Sequence, residues 1–333
     1  MSATIYEVAK RAGVSTATVS HVCNKSHYVS EELRTKVLAA MNDLHYTPNS
    51  IARGLRGGSI KSIGLVVPDC TNAFFAEIAR AIDRMCFSLD YNIILCNTDN
   101  NIRQQSYYID MLISKRVDGI IFISANESAR DIQKCADISI PVVIVDRDIE
   151  HAAASTIVVN NEYGGALAAN YLADCGFTKI ACISGPKNIS SSKQRLAGFS
   201  NALFARNIAL PEQYVYTGNF HYSGGYNALT YFQTLKNKPQ AVFACNDMMA
   251  IGFIHAALSR GIAVPRDVSV VGFDNMELSM VLSPLLTTIA QPIDELAEQA
   301  VRHVLEKIKG EQLSIKRIVL NPYLIERETC IKK

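Results

Sequence analysis

Apolar positions recur along the chain in two rhythms, and the rhythm changes near residue 62. Before that point they return every three or four residues. Ile5, Val8 and Ala12 share one helical face, Val19, Val22 and Cys23 a second, and Leu33, Val37, Met41 and Leu44 a third. The punctuation agrees. Thr4 with Glu7 makes a capping box and Gly13 suits a helix end. Ser15 and Ser30 are good N-caps for TATVSHVCN and EELRTKVLAAMNDL. Three short helices are predicted. The first two, joined by AGVS, make a helix-turn-helix arrangement that the third closes.

From Ile63 short unbroken apolar runs alternate with amphipathic stretches of helical length. SIGLVV precedes FFAEIARAIDRMCFSL, NIILC precedes RQQSYYIDMLISK, and GIIFIS and PVVIV follow. After Val158 the alternation restarts with EYGGALAANYLADC, KIACIS, RLAGFSNALFARN, AVFACN, DMMAIGFIHAALSRG and VSVVGFD. Continuous apolar strands alternating with helices predict parallel sheets covered on both faces. Two successive sets predict two similar lobes. Such sheets bind ligands beyond the carboxyl ends of their strands, so a cleft is expected between the lobes.

Composition adds little until it is read by position. An apolar fraction of 49% and a charged fraction of 19% exclude wholesale disorder, and 333 residues suffice for two or three domains. The net charge is only +2. Through Lys61, however, eight Lys and Arg stand against four Asp and Glu, a surplus of four that leaves the remainder at −2. A polyanion partner at the amino end fits this imbalance, and so does an unevenly charged solvated surface. The nine cysteines are scattered without a C-x-x-C pair, which reads as free thiols in a reducing compartment. No metal-ligand spacing occurs, and neither metal nor cofactor is expected. The amino end has no apolar leader and no run reaches membrane-spanning length, so a cytoplasmic protein without a membrane partner is expected.

The second predicted helix begins with small or polar side chains, Thr16, Ala17, Thr18, Ser20 and His21, ahead of Asn24 and Lys25. A helix entering the major groove needs short residues near its start and hydrogen-bonding groups that reach base edges. Pattern alone leaves open a small bundle packed against its own body or another protein, while the local basic surplus favours DNA. The stretch from Thr4 to Leu55 also carries three linked signatures: V-A-x-x-A-G-V-S-x-x-T-V-S, N-x-x-x-x-V-S and Y-x-P-N-x-x-A-R-x-L. Together they resemble, end to end, the headpiece of the lactose-repressor/galactose-repressor family. The resemblance implies operator DNA as partner. Base contacts would come from Thr16, Ala17 and His21, and phosphate contacts from Tyr6, Ser15, Ser20 and Asn24.

Residues 48–58, PNSIARGLRGG, have room for about two helical turns with Gly54 inside. An internal Gly costs about 1 kcal/mol against Ala, so this helix should form only when something else orders it. The resemblance implies that two such hinges pair in the minor groove. Leu55 would wedge between base steps, with Arg53 and Arg56 near the backbone.

Polar or aromatic residues follow the predicted strands where a cleft needs them. Each alone reads as a cap or surface charge; their recurrence at one end of successive strands points to a site. The body resembles the periplasmic sugar-binding fold that the same family carries, and within it the ribose-binding pattern. Asn72, Phe74 and Phe75 stand in an N-x-F-F element, Asp146 and Arg147 in D-R, and Arg195 in R-x-x-G-F. Phe220, Asn246, Asp274 and Gln291 fill the remaining positions, while Pro68 and Ser124 depart from the pattern. By this resemblance Phe75 and Phe220 would sandwich a pyranose. The carboxylates, amides and arginines would bond its hydroxyls. A neutral sugar, ribose or a close pentose, is the expected effector. A purine or a protein co-regulator is the alternative, because purine-responsive members share the equivalents of Arg195, Phe220 and Asp274. Ile189 here replaces an arginine that helps hold the purine.

An enzyme, for instance one that processes a sugar, is the reading from another class. No G-x-S-x-G, H-E-x-x-H, Walker loop or G-x-G-x-x-G follows a strand. The histidines at 21, 27, 45, 151, 221, 255 and 303 lack paired Cys or Asp ligands, and no catalytic residue is assigned. The expectation is an N-terminal all-α helix-turn-helix headpiece (1–47), a hinge (48–61) and an α/β, periplasmic-binding-protein-like body of two parallel-sheet lobes (62–333). It would act as a homodimer on a near-palindromic operator and be released when the sugar closes the lobes. RQQSYYIDMLISK offers one dimer surface among several.

Overall fold

The computed structural model describes residues 3–24, 27–46, 60–123, 129–147, 154–311 and 316–332. The chain divides into two compact units, residues 1–60 and 61–333. Arg53, Leu55 and Arg56 of the expected hinge lie outside the described residues, as does Ser124.

The first unit holds α1 (Ile5–Ala12), α2 (Thr16–Asn24) and α3 (Glu31–Asp43). Its boundaries follow from local chemistry. The Glu7 carboxylate accepts the Thr4 N–H at 2.7 Å and the Thr4 hydroxyl at 2.9 Å, which hold its carboxyl below its ordinary value, and the Thr4 Oγ1 accepts the Glu7 N–H at 3.4 Å. Gly13 ends α1 with φ 66°, a left-handed conformation that costs glycine little. The Ser15 hydroxyl then accepts the Thr18 N–H at 3.1 Å and opens α2. Val8, Ala9, Val19, Val37 and Ala40 form the buried centre, with Met41 and Leu44 packed against it. Leu33, expected inward, is exposed. It lies on the first turn of α3, ahead of the point at which this small core begins.

In the second unit the chain runs β1 (Ser62–Val67), α4 (Ala73–Ser88), β2 (Asn92–Asn97), α5 (Ile102–Ser114), β3 (Gly119–Ile123), α6 (Ala129–Asp137), β4 (Val142–Val145) and β5 (Ser155–Val159). There follow α7 (Asn161–Asp174), β6 (Ile180–Ser184), α8 (Ser190–Ala205), β7 (Val215–Thr217), α9 (Tyr222–Thr234), β8 (Ala241–Ala244), α10 (Asp247–Leu258) and β9 (Ser269–Asp274). The chain closes with β10 (Thr287–Ala290), α11 (Ile293–Ile308), β11 (Arg317–Leu320) and β12 (Tyr323–Ile325).

Two six-stranded sheets result, ordered β11-β5-β4-β3-β1-β2 and β12-β10-β9-β8-β6-β7. Every pairing is parallel except β12 against β10 at the edge of the second sheet. The central strands are buried on both faces, which is why they read as unbroken apolar runs.

The lobes are not successive. The chain passes from first to second lobe after Val159, returns after Ala290, and leaves again after Leu320. α11 belongs to the first lobe, where Leu296, Ala297, Ala300, Val301 and Val304 pack with Ile63, Ile121 and Val143. Complete burial of a Leu or Val side chain contributes about 1.5–3 kcal/mol, so this late helix is a principal support of the early sheet. β11 extends the same sheet by pairing Arg317–Leu320 with residues 156–159. All nine cysteines are free thiols, and burial pushes Cys86 up to about 12 and Cys96 and Cys135 to about 11.

Candidate functional site

In each sheet the strand order reverses once, between β1 and β3 in the first lobe and between β6 and β8 in the second. Loops leaving neighbouring strands on either side of such a reversal turn opposite ways and open a crevice. A cavity of about 370 Å³ lies there, lined from both lobes.

Nine of the ten expected ligand residues line it: Asn72, Phe74, Phe75, Asp146, Arg147, Arg195, Phe220, Asn246 and Asp274. Asn72 caps α4, its side-chain oxygen accepting the Phe74 N–H at 3.1 Å, which sets Phe74 and Phe75 on the first turn at the cavity wall. Asn246 caps α10 by accepting the Met249 N–H at 3.0 Å, and its amide donates to the Phe220 carbonyl at 2.9 Å. That bond holds Phe220 at φ 63°. A Cβ on Gly185 would run into the Phe220 ring, so this aromatic platform requires glycine beneath it.

The charged wall is pre-oriented. α7 and α8 approach so closely that a Cβ on Gly165 or Gly198 would strike the other helix's backbone. Arg195 on α8 thereby reaches Asn161 at the start of α7, donating from Nε to Oδ1 at 2.7 Å. It also donates to the Cys245 carbonyl at 2.6 Å and lies 3.7 Å from the Phe273 ring centre. Asp274 faces it at 3.5 Å. Burial pushes the Asp274 carboxyl up to about 7, against the lowering effects of Arg195 and of the Gln291 hydrogen bond. Asp146, Phe220 and Asp274 all have left-handed backbones, at φ 76°, 63° and 117°. Backbone strain of this kind gathers at ligand sites, where the surroundings hold it in place.

Gln291, the tenth expected residue, does not line this cavity. It stands behind Asp274, donating from Nε2 to Oδ1 at 2.7 Å, and borders a second, open groove. Asp247 is wholly buried at the first turn of α10. It accepts from the Met276 N–H at 3.0 Å and the Thr288 hydroxyl at 2.6 Å, and so ties α10 to the segments around β9 and β10; the cap itself is Asn246. Sequence reasoning missed Asn100, Asn188, Ser191, Asn219 and His221, which also line the cavity. Asn100 and Asn219 lie just past the ends of β2 and β7, so extending the strand-end criterion to those edge strands finds them.

In the first unit, Tyr6 on α1 is 70% exposed. Ser15 just before α2 and Ala17 on it are exposed, Thr16, Ser20 and His21 are half-buried, and Val19 is buried in the core with Val22 and Cys23 packed against it. The His21 and His27 rings meet at 4.5 Å. Asn24 is the last residue of α2. Among the described residues no group of His, Cys, Asp and Glu has a metal-binding arrangement, and no helix is long and apolar enough to cross a membrane.

Residues 4–49 match the description "Bacterial regulatory proteins, lacI family", and residues 169–330 match "Periplasmic binding protein-like domain". Over 327 residues the chain is 38% identical to the ribose operon repressor of Escherichia coli (strain K12), covering 98% of this chain and 99% of that one. It is 40% identical over 333 residues to the HTH-type transcriptional repressor PurR of Vibrio vulnificus (strain CMCP6), covering 99% of each. Its structure is similar to that of the lac repressor dimer bound to operator and the anti-inducer ONPF, with a TM-score of 0.88 and 28% identity over 99% of this chain and 100% of that one.

Proposed function

Because the chain belongs to the lacI family of bacterial regulatory proteins, a DNA-binding family of transcriptional repressors rather than enzymes, we propose that it binds a near-palindromic operator as a homodimer and is released by a neutral sugar, most simply ribose. The observation that carries the effector reading is the polarity of the cavity. Two aromatic rings, Phe75 and Phe220, stand with buried Asp146, Arg195 and Asp274, so both charge signs are present in the wall. A polyhydroxylated neutral molecule meets both kinds of wall: its C–H faces lie on the rings and its hydroxyls bond the carboxylates and guanidinium groups. Gln291 acts behind Asp274. In the head, Thr16, Ala17 and His21 read bases, and Tyr6, Ser15, Ser20 and Asn24 hold phosphates. Arg53, Leu55 and Arg56 complete the operator contact through the hinge.

A second reading is a purine corepressor, favoured by the 40% identity to the PurR protein. Ile189 in the cavity wall counts against it, since an apolar side chain there leaves one polar edge of a purine unbonded.

Calorimetric titration with D-ribose, other pentoses, hexoses and hypoxanthine separates the two. Ribose binding that disappears in Asp146→Ala supports the sugar reading. Binding of hypoxanthine alone moves the protein to corepression and leaves the DNA-binding half standing.

A further inference from the structure

Two charged groups of the cavity wall, Arg195 and Asp274, are each joined to a residue at a lobe crossover. Arg195 donates from Nε to Asn161 Oδ1 at 2.7 Å. Asn161 is the first residue of α7, two past the end of β5, and its Nδ2 donates back to the carbonyl of Val159, the last residue of β5, at 3.2 Å. On the other side Asp274 accepts from Gln291 Nε2 at 2.7 Å, and Gln291 is the first residue after the chain leaves β10 for the first lobe. Arg195 and Asp274 meet at 3.5 Å, with side chains only 5% and 4% exposed. A continuous polar path therefore runs Val159–Asn161–Arg195–Asp274–Gln291, from one crossover through the cavity wall to the next. Its far end is unsaturated, because Gln291 Oε1 is buried without a hydrogen-bond partner among the described residues.

We propose that Asn161 is a positioning residue that couples occupancy of the cavity to the setting of the two lobes. The inference rests on the reading of the cavity as the effector site. A ligand that bonds Arg195 or Asp274 competes for the donors and acceptors they now offer along the path. The path is buried, so a bond given up there is not replaced by water and must be met by movement of its neighbour. That neighbour is Asn161, whose other hand holds the end of a first-lobe strand. A helix cap does not explain this side chain, because the α7 cap is Asn160, whose Oδ1 accepts the Tyr163 N–H at 3.1 Å.

Asn161→Asp keeps the acceptor for Arg195 and removes the Nδ2 donor, which serves Val159 O at 3.2 Å and, more weakly, Gln194 Oε1 at 3.4 Å. On the full-length protein, D-ribose affinity is measured by calorimetry, and operator affinity by fluorescence anisotropy with and without saturating D-ribose. Asn161→Asp and Asn161→Ala are expected to keep effector-free operator affinity. Asn161→Asp is also expected to keep D-ribose affinity within about threefold, while the ratio of the two operator dissociation constants falls at least about threefold. An unchanged ratio overturns the proposal, and so does a tenfold loss of ribose affinity with the ratio preserved.

An effector-free measurement keeps the inference independent of the sugar's identity. Arg195→Lys retains a charge opposite Asp274 but removes the Nε donor to Asn161. Amide exchange over residues 157–163 should then quicken several-fold relative to β6 and β8, and unchanged protection there overturns the proposal. If wild-type protein is silent to ribose while exchange quickens, the sugar reading fails and the tie through Asn161 stands.

Discussion

The head and the cavity both present polar groups to a partner, at opposite extremes of exposure. On the head, Tyr6 is 70% exposed, and the ion pair that ties α1 to α3, Arg11 with Asp43, has side chains 62% and 52% exposed. Around the cavity Asp146, Arg195 and Asp274 are each 6% exposed or less. Exposed groups cost little to maintain and are screened, which suits a surface that sums many weak contacts to a polyanion. Buried groups must be held by one another, and their orientation is settled before any ligand arrives. The two halves should therefore answer to different variables: the head to ionic strength, the cavity to pH and to the removal of single atoms.

The largest expected contrast is with salt. Raising it from about 50 to about 200 mM should weaken operator binding roughly 10³-fold, while D-ribose affinity changes less than about twofold. Comparable slopes in parallel anisotropy and calorimetry would erase the distinction. Next comes Arg195→Ala, which leaves Asp274 buried without its cation. Ribose affinity should fall about 100-fold and the body should lose about 3–5 kcal/mol in chemical denaturation, with effector-free operator affinity unchanged. In the head, Val19→Ala removes two methyl groups from a fully buried position, costing on the order of 2 kcal/mol. Operator binding should drop while ribose titration stays as in the wild type.

A smaller effect, near tenfold, follows from Asp274, whose carboxyl burial raises to about 7. Sugar hydroxyls donate to the ionised form, so ribose affinity should rise between about pH 6 and pH 8, with proton release visible when calorimetry is repeated in buffers of different ionisation enthalpy. The stability of the free body runs the other way. A carboxyl raised from about 4 unfolded to about 7 folded stabilises fully below about pH 4 and loses that contribution as pH rises through about 7. Ribose affinity that fell with rising pH would overturn the assignment. The smallest effect is Thr4→Ala, which breaks the capping box and should cost about 1 kcal/mol of head stability by thermal unfolding.

The head was legible in the sequence because each boundary is decided within four residues: Thr4 with Glu7, Gly13 with Ala9, Ser15 with Thr18. Leu33 was misread because periodicity reports a face and not how far the core extends along it. Most central strands of the body were legible as apolar runs, but the interleaving of the lobes was not. The pairing of β11 with β5 joins residues about 160 apart, and no local pattern announces it. The cavity was largely legible because strand ends mark it. Gln291 was placed within it by the resemblance alone, and nothing in the sequence says from which side its amide meets Asp274. Asn161 was passed over because two asparagines stand together at a helix start, and only geometry separates the cap from the tie.

The late return of α11 and β11 to the first lobe has a consequence for the order in which the protein is made. The head is complete once the first sixty residues have left the ribosome, whereas the first lobe lacks both its covering helix and an edge strand until residue 320 has emerged. Until then β5 presents an unpaired edge and the sheet face beneath α11 is bare, a surface that invites chaperones or aggregation. A frameshift or stop codon before residue 293 therefore removes both supports of the first sheet. It leaves a DNA-binding head on a body whose first sheet lacks its covering helix and an edge strand, and selection on codons 293–320 acts on the first sheet.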